Sequence, residues 1–173
     1  MQVEGLRLRP DPPPRVRVFA ASDLHVTLGF LGQVQESDAR KAWERIGDFS
    51  SFRRVVGSFS AVEPLGHPRK PSALSAMVDV GRKPLSEMIA EARDSVLEAA
   101  GAPPDPRPPL PHMTLARIQR RATGAERREV VRWAQALVLD GVSFSAPSVA
   151  LYTWAADRQT RLFRIVESRA FES

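Results

Sequence analysis

One short phrase occurs twice in this chain, as His25-Val26-Thr27-Leu28 and His112-Met113-Thr114-Leu115. Each copy lies in an apolar run, Leu24 to Leu31 and Pro111 to Ala116, and such short runs read as strands. Along a strand, side chains at i and i+2 leave the same face. Each copy therefore presents an imidazole and a hydroxyl side by side. The chain has only three histidines, and two of them carry the phrase. With threonine this scarce, two such hits arise by chance about 0.3% of the time. A fold that brings the two strands to one cleft would pair two imidazoles there.

The phrases stand 87 residues apart (112 minus 25), so each half of the chain can be built on one copy. A length of 173 residues suits one domain, residues 1–173, with a real core. A hydrophobic content of 43% with 26% charged residues is that of an ordinary globular protein. No apolar run reaches the length of a membrane span, and the N-terminus has no signal-like stretch, so a cytoplasmic location is expected. The absence of cysteine excludes disulfides, thiol catalysis and Cys-based zinc sites. The formal charge is +5, and only Lys41, Lys70 and Lys83 are lysines among 25 basic residues. The remainder are arginines, whose planar forks suit phosphate. Genomic base composition explains the same skew, so charge alone does not argue for RNA.

The pattern predicts strands over Val3 to Arg9 and Arg15 to Ala20, separated by the extended Pro10 to Pro14 connector. A helix is expected over Glu36 to Asp48, capped at Ser37, with Ala39, Ala42, Trp43 and Ile46 inward. Phe52 to Phe59 reads as a strand, Glu63 to Pro71 as a loop, and Ala73 to Val80 as another strand. The clearest helix spans Lys83 to Ala100, with Gly101 as its C-terminal stop. A proline-rich loop leads into the second phrase. A third helix covers Gly124 to Leu137, with Trp133 inward, and strands follow near Val142 to Thr153 and Arg161 to Val166. The order implies an α+β fold: a pseudo-twofold pair of antiparallel sheets with helices outside and a cleft between.

Two imidazoles suit phosphodiester hydrolysis without a metal. An unperturbed pKa near 6.5 lets one ring be neutral and the other charged at working pH. One would take a proton from water and the other would protonate a departing ribose oxygen, as in opening a 2',3'-cyclic phosphate. Thr27 and Thr114, with nearby Arg, would donate hydrogen bonds to phosphoryl oxygens. His25 and His112 are thus the expected catalytic residues, with no cofactor and no metal.

The fuller runs Leu24-His25-Val26-Thr27-Leu28-Gly29-Phe30-Leu31-Gly32 and Pro111-His112-Met113-Thr114-Leu115-Ala116-Arg117 resemble the paired signatures of the 2H phosphoesterases. They are most similar to those of the LigT-like RNA 2',3'-cyclic phosphodiesterases, also called 2'-5' RNA ligases. The resemblance covers roughly residues 15 to 168. It implies a bilobal fold with the two His-X-Thr strands facing across a cleft. It also implies opening of a cyclic phosphate to a 2'-phosphomonoester and, in some members, reversible 2'-5' joining. The expected partners are RNA ends or nucleotide cyclic phosphates, with no membrane, no protein partner and a monomeric state. Typical members place a helix before the strand that leads to the first signature. Here Pro10 to Pro14 occupy that place, so the first lobe is expected to be trimmed.

Other residues carry two readings each. Arg117 falls on the opposite face from His112 if the strand is regular, and reaches phosphate only if a bulge or strand end turns it. Asp23 either orients His25 or shapes a turn. Tyr152 and Trp154 share a strand face and are candidates for stacking a nucleobase, against core or rim packing. His67 reads as a solvated loop histidine. Two rival functions remain: hydrolysis of a small cyclic phosphate derived from ADP-ribose, and a non-catalytic module that binds nucleotides or RNA ends.

Overall fold

The structure is a computed structural model that describes residues 1–49 and 52–171. Its architecture is α+β, with six antiparallel strands in one curled sheet, a separate two-stranded hairpin and three α-helices. The strands are β1 (Gln2–Glu4), β2 (Val16–Val18), β3 (Val55–His67), β4 (Lys70–Val78), β5 (His112–Ile118) and β6 (Ser143–Ala146), in the spatial order β1-β6-β3-β4-β5-β2. The hairpin pairs β7 (Ser148–Trp154) with β8 (Phe163–Ala170). The helices are α1 (Glu36–Arg45), α2 (Arg82–Ala99) and α3 (Gly124–Gln135). Among the described residues, none of these helices is long and apolar enough to cross a membrane.

Alternation on β5 builds the core. Met113 and Leu115 are fully buried on one face, where they join Leu74, Ala76, Val130 and Val62 in the core. Truncating one such Leu to Ala costs about 2–5 kcal/mol. Helix α3 rests on β3 and β4, while α2 packs against α1 and β3. The apolar stripe of α2 is the one the sequence predicts, with Leu85, Met88, Ile89, Ala92, Val96 and Leu97 all buried. Gly101 follows with φ +61°, the left-handed turn that stops the helix. Thr123 and Glu126 close a reciprocal capping box on α3. Trp133 is buried on the expected face, and its indole N–H donates to the Pro10 carbonyl (2.8 Å), tying the proline-rich connector to α3. No helix occurs among the described residues before the 3-10 turn Ala21–Asp23.

Four local expectations are corrected. The segment Glu63 to Pro71 is not a loop: β3 continues to His67 and turns through Pro68 and Arg69 into β4. Its prolines mislead because β6 pairs only with Val55–Ser58, so at Pro64 β3 is an edge strand, where a missing N–H is tolerated. Strand β1 ends at Glu4 rather than Arg9, because Gly5 turns the chain at φ +76°. Helix α1 stops at Arg45 and tightens into a 3-10 turn over Ile46–Asp48; Gln35, not Ser37, is its N-cap residue, with no side-chain cap. The strand expected over Val142 to Thr153 is broken at Pro147 into β6 and β7, which belong to different sheets. On β3, Gly57 permits close approach: a side chain there would meet the Val80 carbonyl and the Phe144 ring.

Candidate functional site

The two His-X-Thr phrases lie side by side. The first is not the regular strand its apolar run suggests: only Val26 pairs, in an isolated antiparallel bridge with Met113 of β5. Strand β2 runs antiparallel to β5, with Val16 opposite Ile118 and Val18 opposite Ala116, and the Phe19 N–H reaches the Leu115 carbonyl (2.8 Å). The 3-10 turn Ala21–Asp23 then interrupts this edge lane before Val26 rejoins it. That turn is the physical reason the strand fails.

The bridge decides the site. Extending its register by one residue each way sets Thr27 opposite His112 and His25 opposite Thr114. Val26 and the fully buried Met113 point to the core, so all four functional side chains leave by the other face. Pseudo-twofold symmetry follows, because two copies of one phrase run antiparallel. The imidazoles obey it as well. His25 Nδ1 donates to the Asp23 carbonyl (2.7 Å), and His112 Nδ1 donates to the Leu110 carbonyl (2.6 Å), each two residues upstream. A carbonyl oxygen can only accept, so Nδ1 carries hydrogen in both rings and Nε2 is left to act as acceptor or donor.

The two surroundings differ. His25 is stacked against Tyr152 (centroids 4.9 Å, 23°) and meets the edge of Phe163 (5.4 Å, 86°). Loss of hydration in this enclosure, and the nearby His112, hold its pKa below the usual imidazole value; the Asp23 carbonyl and carboxylate oppose that shift and are outweighed. Asp23 itself is 1% exposed. Its carboxylate does not touch the imidazole; it accepts from the backbone N–H groups of Leu162 (2.8 Å) and Phe163 (3.1 Å), clamping the β7–β8 hairpin against the first phrase. On the other side, Thr114 Oγ1 lies 3.2 Å from Oγ of the fully buried Ser75, its partner across β4 and β5.

Arg117 gains its place through a bulge. Register slips between Leu74 and Ser75, leaving Leu115 without a partner, and the burial alternation shifts by one after it. Arg117 thereby leaves the sheet on the face of His112 and Thr114, exposed to solvent. One face of the Tyr152 ring is covered by His25. Trp154 stays 56% exposed, stacked on Phe163 (5.2 Å) with the Arg158 guanidinium 5.5 Å from its ring centre. His67 sits in the β3–β4 turn, where its Nδ1 accepts from the Arg69 N–H, and takes no part in the site. Arg127, from the basic start of α3, donates to the carbonyls of Pro71, Gln119 and Arg120 and so braces loops. Ser75, Phe163 and the clamping use of Asp23 were not legible as site features. Only Asp23 offered a signal, its place two residues before His25. Among the described residues, no three His, Asp or Glu side chains converge as a metal-binding group requires.

A curled antiparallel sheet, a hairpin wall and two symmetric His-X-Thr phrases make up the site. The structure is similar to E. coli LigT solved with 3'-AMP, at 20% identity and TM-score 0.65, covering 94% of this chain and 85% of that one. It is similar to TT0787 of Thermus thermophilus, at 20% identity and TM-score 0.66, covering 95% and 85%. A further solved phosphoesterase matches at 19% identity and TM-score 0.63, covering 94% and 85%. No protein-family model and no curated protein matches the sequence. The chain thus has the LigT-like fold.

Proposed function

We propose that this protein is a metal-independent 2H phosphoesterase that opens RNA or nucleotide 2',3'-cyclic phosphates to 2'-phosphomonoesters. The observation that carries the reading is the symmetric pair of imidazoles, each with Nδ1 tied to an upstream carbonyl and both on one face with two threonines. Nucleotide substrates are favoured by the likeness to LigT, a protein solved with 3'-AMP.

His25, enclosed and held neutral, takes the proton from the attacking water. As the new P–O bond forms, the bond from phosphorus to the ribose 3' oxygen breaks. His112 gives its proton to that oxygen, and the 2'-phosphate remains. Thr27, Thr114 and Arg117 hold the phosphoryl oxygens as charge gathers on them. Joining differs only in the nucleophile: a ribose 5' hydroxyl in place of water gives its proton to His25 and bonds to phosphorus as the bond to the 3' oxygen breaks, leaving a 2'-5' diester. In cleavage of that diester the two rings exchange roles. Trp154, 56% exposed, offers its solvent-facing edge to a base. With this reading go a monomeric, single-domain enzyme, no cofactor and a cytoplasmic site of action, in keeping with the cysteine-free sequence.

The test is turnover of an oligonucleotide ending in a 2',3'-cyclic phosphate, in EDTA, with the product isomer identified. Turnover that EDTA leaves untouched, yielding a 2'-phosphate, is expected. Binding without turnover, or activity abolished by the chelator, would sink the mechanism.

A further inference from the structure

A cluster of three arginines borders the His-X-Thr face, and the mechanism uses only one of them. Arg17 of β2 and Arg117 of β5 are direct cross-strand partners, so their side chains leave the sheet together. Like charges directly opposite are unfavourable on a sheet. Among the described residues, no carboxylate forms an ion pair with Arg17, Arg117 or Arg158. Arg17 instead donates to the backbone carbonyl of Arg158, while the Arg158 guanidinium rests over Trp154. The contacts run as a chain from the site: His25 meets Phe163, Phe163 stacks on Trp154, Trp154 carries Arg158, and Arg158 holds Arg17 beside Arg117.

Arg117 lies three residues from Thr114, roughly 10 Å along the strand. One nucleotide unit and an arginine side chain span that gap between them. The anchoring carbonyl fixes one edge of the Arg17 fork and leaves its other N–H groups free. Such a fork beside a second arginine fits a tetrahedral oxyanion bidentately.

We infer that Arg17 and Arg158, next to Arg117, form a second phosphate subsite, so that the preferred ligand carries another phosphate besides the one held between the histidines. The inference rests on the proposed His-X-Thr site and deepens it. A nucleoside cyclic phosphate lacking a further phosphate leaves the subsite empty. The second phosphate comes either from a 5'-phosphate on the same nucleoside or from the preceding phosphodiester of an oligonucleotide.

Titration calorimetry with adenosine 2'-monophosphate, adenosine 2',5'-bisphosphate and a dinucleotide ending in a 2'-phosphate tests this. The bisphosphate should bind about tenfold more tightly than the monophosphate, the yield of one charge-assisted contact. In Arg17→Ala and Arg158→Ala that ratio should fall towards one. Arg161→Ala, an exposed arginine on the same β7–β8 turn, should keep it. A dinucleotide tighter than the bisphosphate identifies a chain phosphodiester as the source, and a weaker one identifies a terminal 5'-phosphate. Equal wild-type affinity for mono- and bisphosphate overturns the subsite alone, as does an unchanged ratio in both variants. Failure of the wild type to bind any of the three overturns the His-X-Thr reading and the subsite with it.

Discussion

The same four-residue phrase is supported in two different ways. The second copy opens β5, with β4 paired along one side and rigid prolines leading in. The first copy joins the sheet by one bridge, and is held by a buried carboxylate and an aromatic hairpin. Local geometry is nonetheless common to both, since each imidazole turns to the carbonyl two residues upstream. The lesson is a division of labour. The phrase itself sets which atoms face the cleft, and the support sets how enclosed the ring is, which at His25 lowers the imidazole pKa.

Four experiments would break or sharpen this comparison, beginning with the largest effect. His25→Ala and His112→Ala should each lower kcat on the cyclic phosphate by about 10³-fold or more, within the range for a lost proton-transfer group. The double variant should lose little beyond either single one, because the two rings act as a unit. Single-turnover rates measure this, and a variant retaining a tenth of the activity would break the symmetry of roles.

Thr27→Val and Thr114→Val should each reduce kcat/KM by about 10²-fold, the usual scale for a lost donor to a developing oxyanion. Ser75→Ala, which only loosens the Thr114 hydroxyl, should cost a few-fold.

Asp23→Ala tests the support of the first copy. Two backbone N–H groups lose a charged acceptor in a buried setting, so urea unfolding should show a loss of about 3 kcal/mol. Ser75→Ala, the corresponding change beside the second copy, should cost no more than about 1 kcal/mol. Equal losses would show that the two supports are energetically alike.

The last effect is one of pH. The depressed pKa of His25 means that the unfolded chain binds its proton more readily than the folded one does. This contribution to stability is present above the ordinary imidazole value, near 6.5, and is lost as pH falls through that value towards the folded one. By the same shift, the acid limb of kcat/KM should lie below pH 6.5. Tyr152→Ala, which admits water to the ring, should move that limb upward. Leu110→Ala, beside His112, should leave it in place.

The chain reads unevenly as sequence. Helix α2 was legible because six buried residues recur at helical spacing, and Gly101 could mark its end because left-handed backbone favours glycine. The β3–β4 turn was not, because Pro64 and Pro68 signal a break unless the neighbours of the strand are known. In the site, His25, Thr27, His112 and Thr114 were legible from repetition alone. Arg117 remained ambiguous, because its face depends on a bulge at Leu115 that no residue type announces. Ser75 was silent, as a small hydroxyl in an apolar strand whose partner is 39 positions away.

By itself, then, the sequence determined the chemistry on offer: two imidazoles and two hydroxyls, each pair on one face of an extended backbone, because the period of two is a property of the chain alone. Tertiary structure decided that the copies meet antiparallel, that one ring is shielded by Tyr152 and Phe163 while the other is not, and that Arg117 shares their face. Those outcomes depend on pairing register and on burial, and both are set by residues far along the chain.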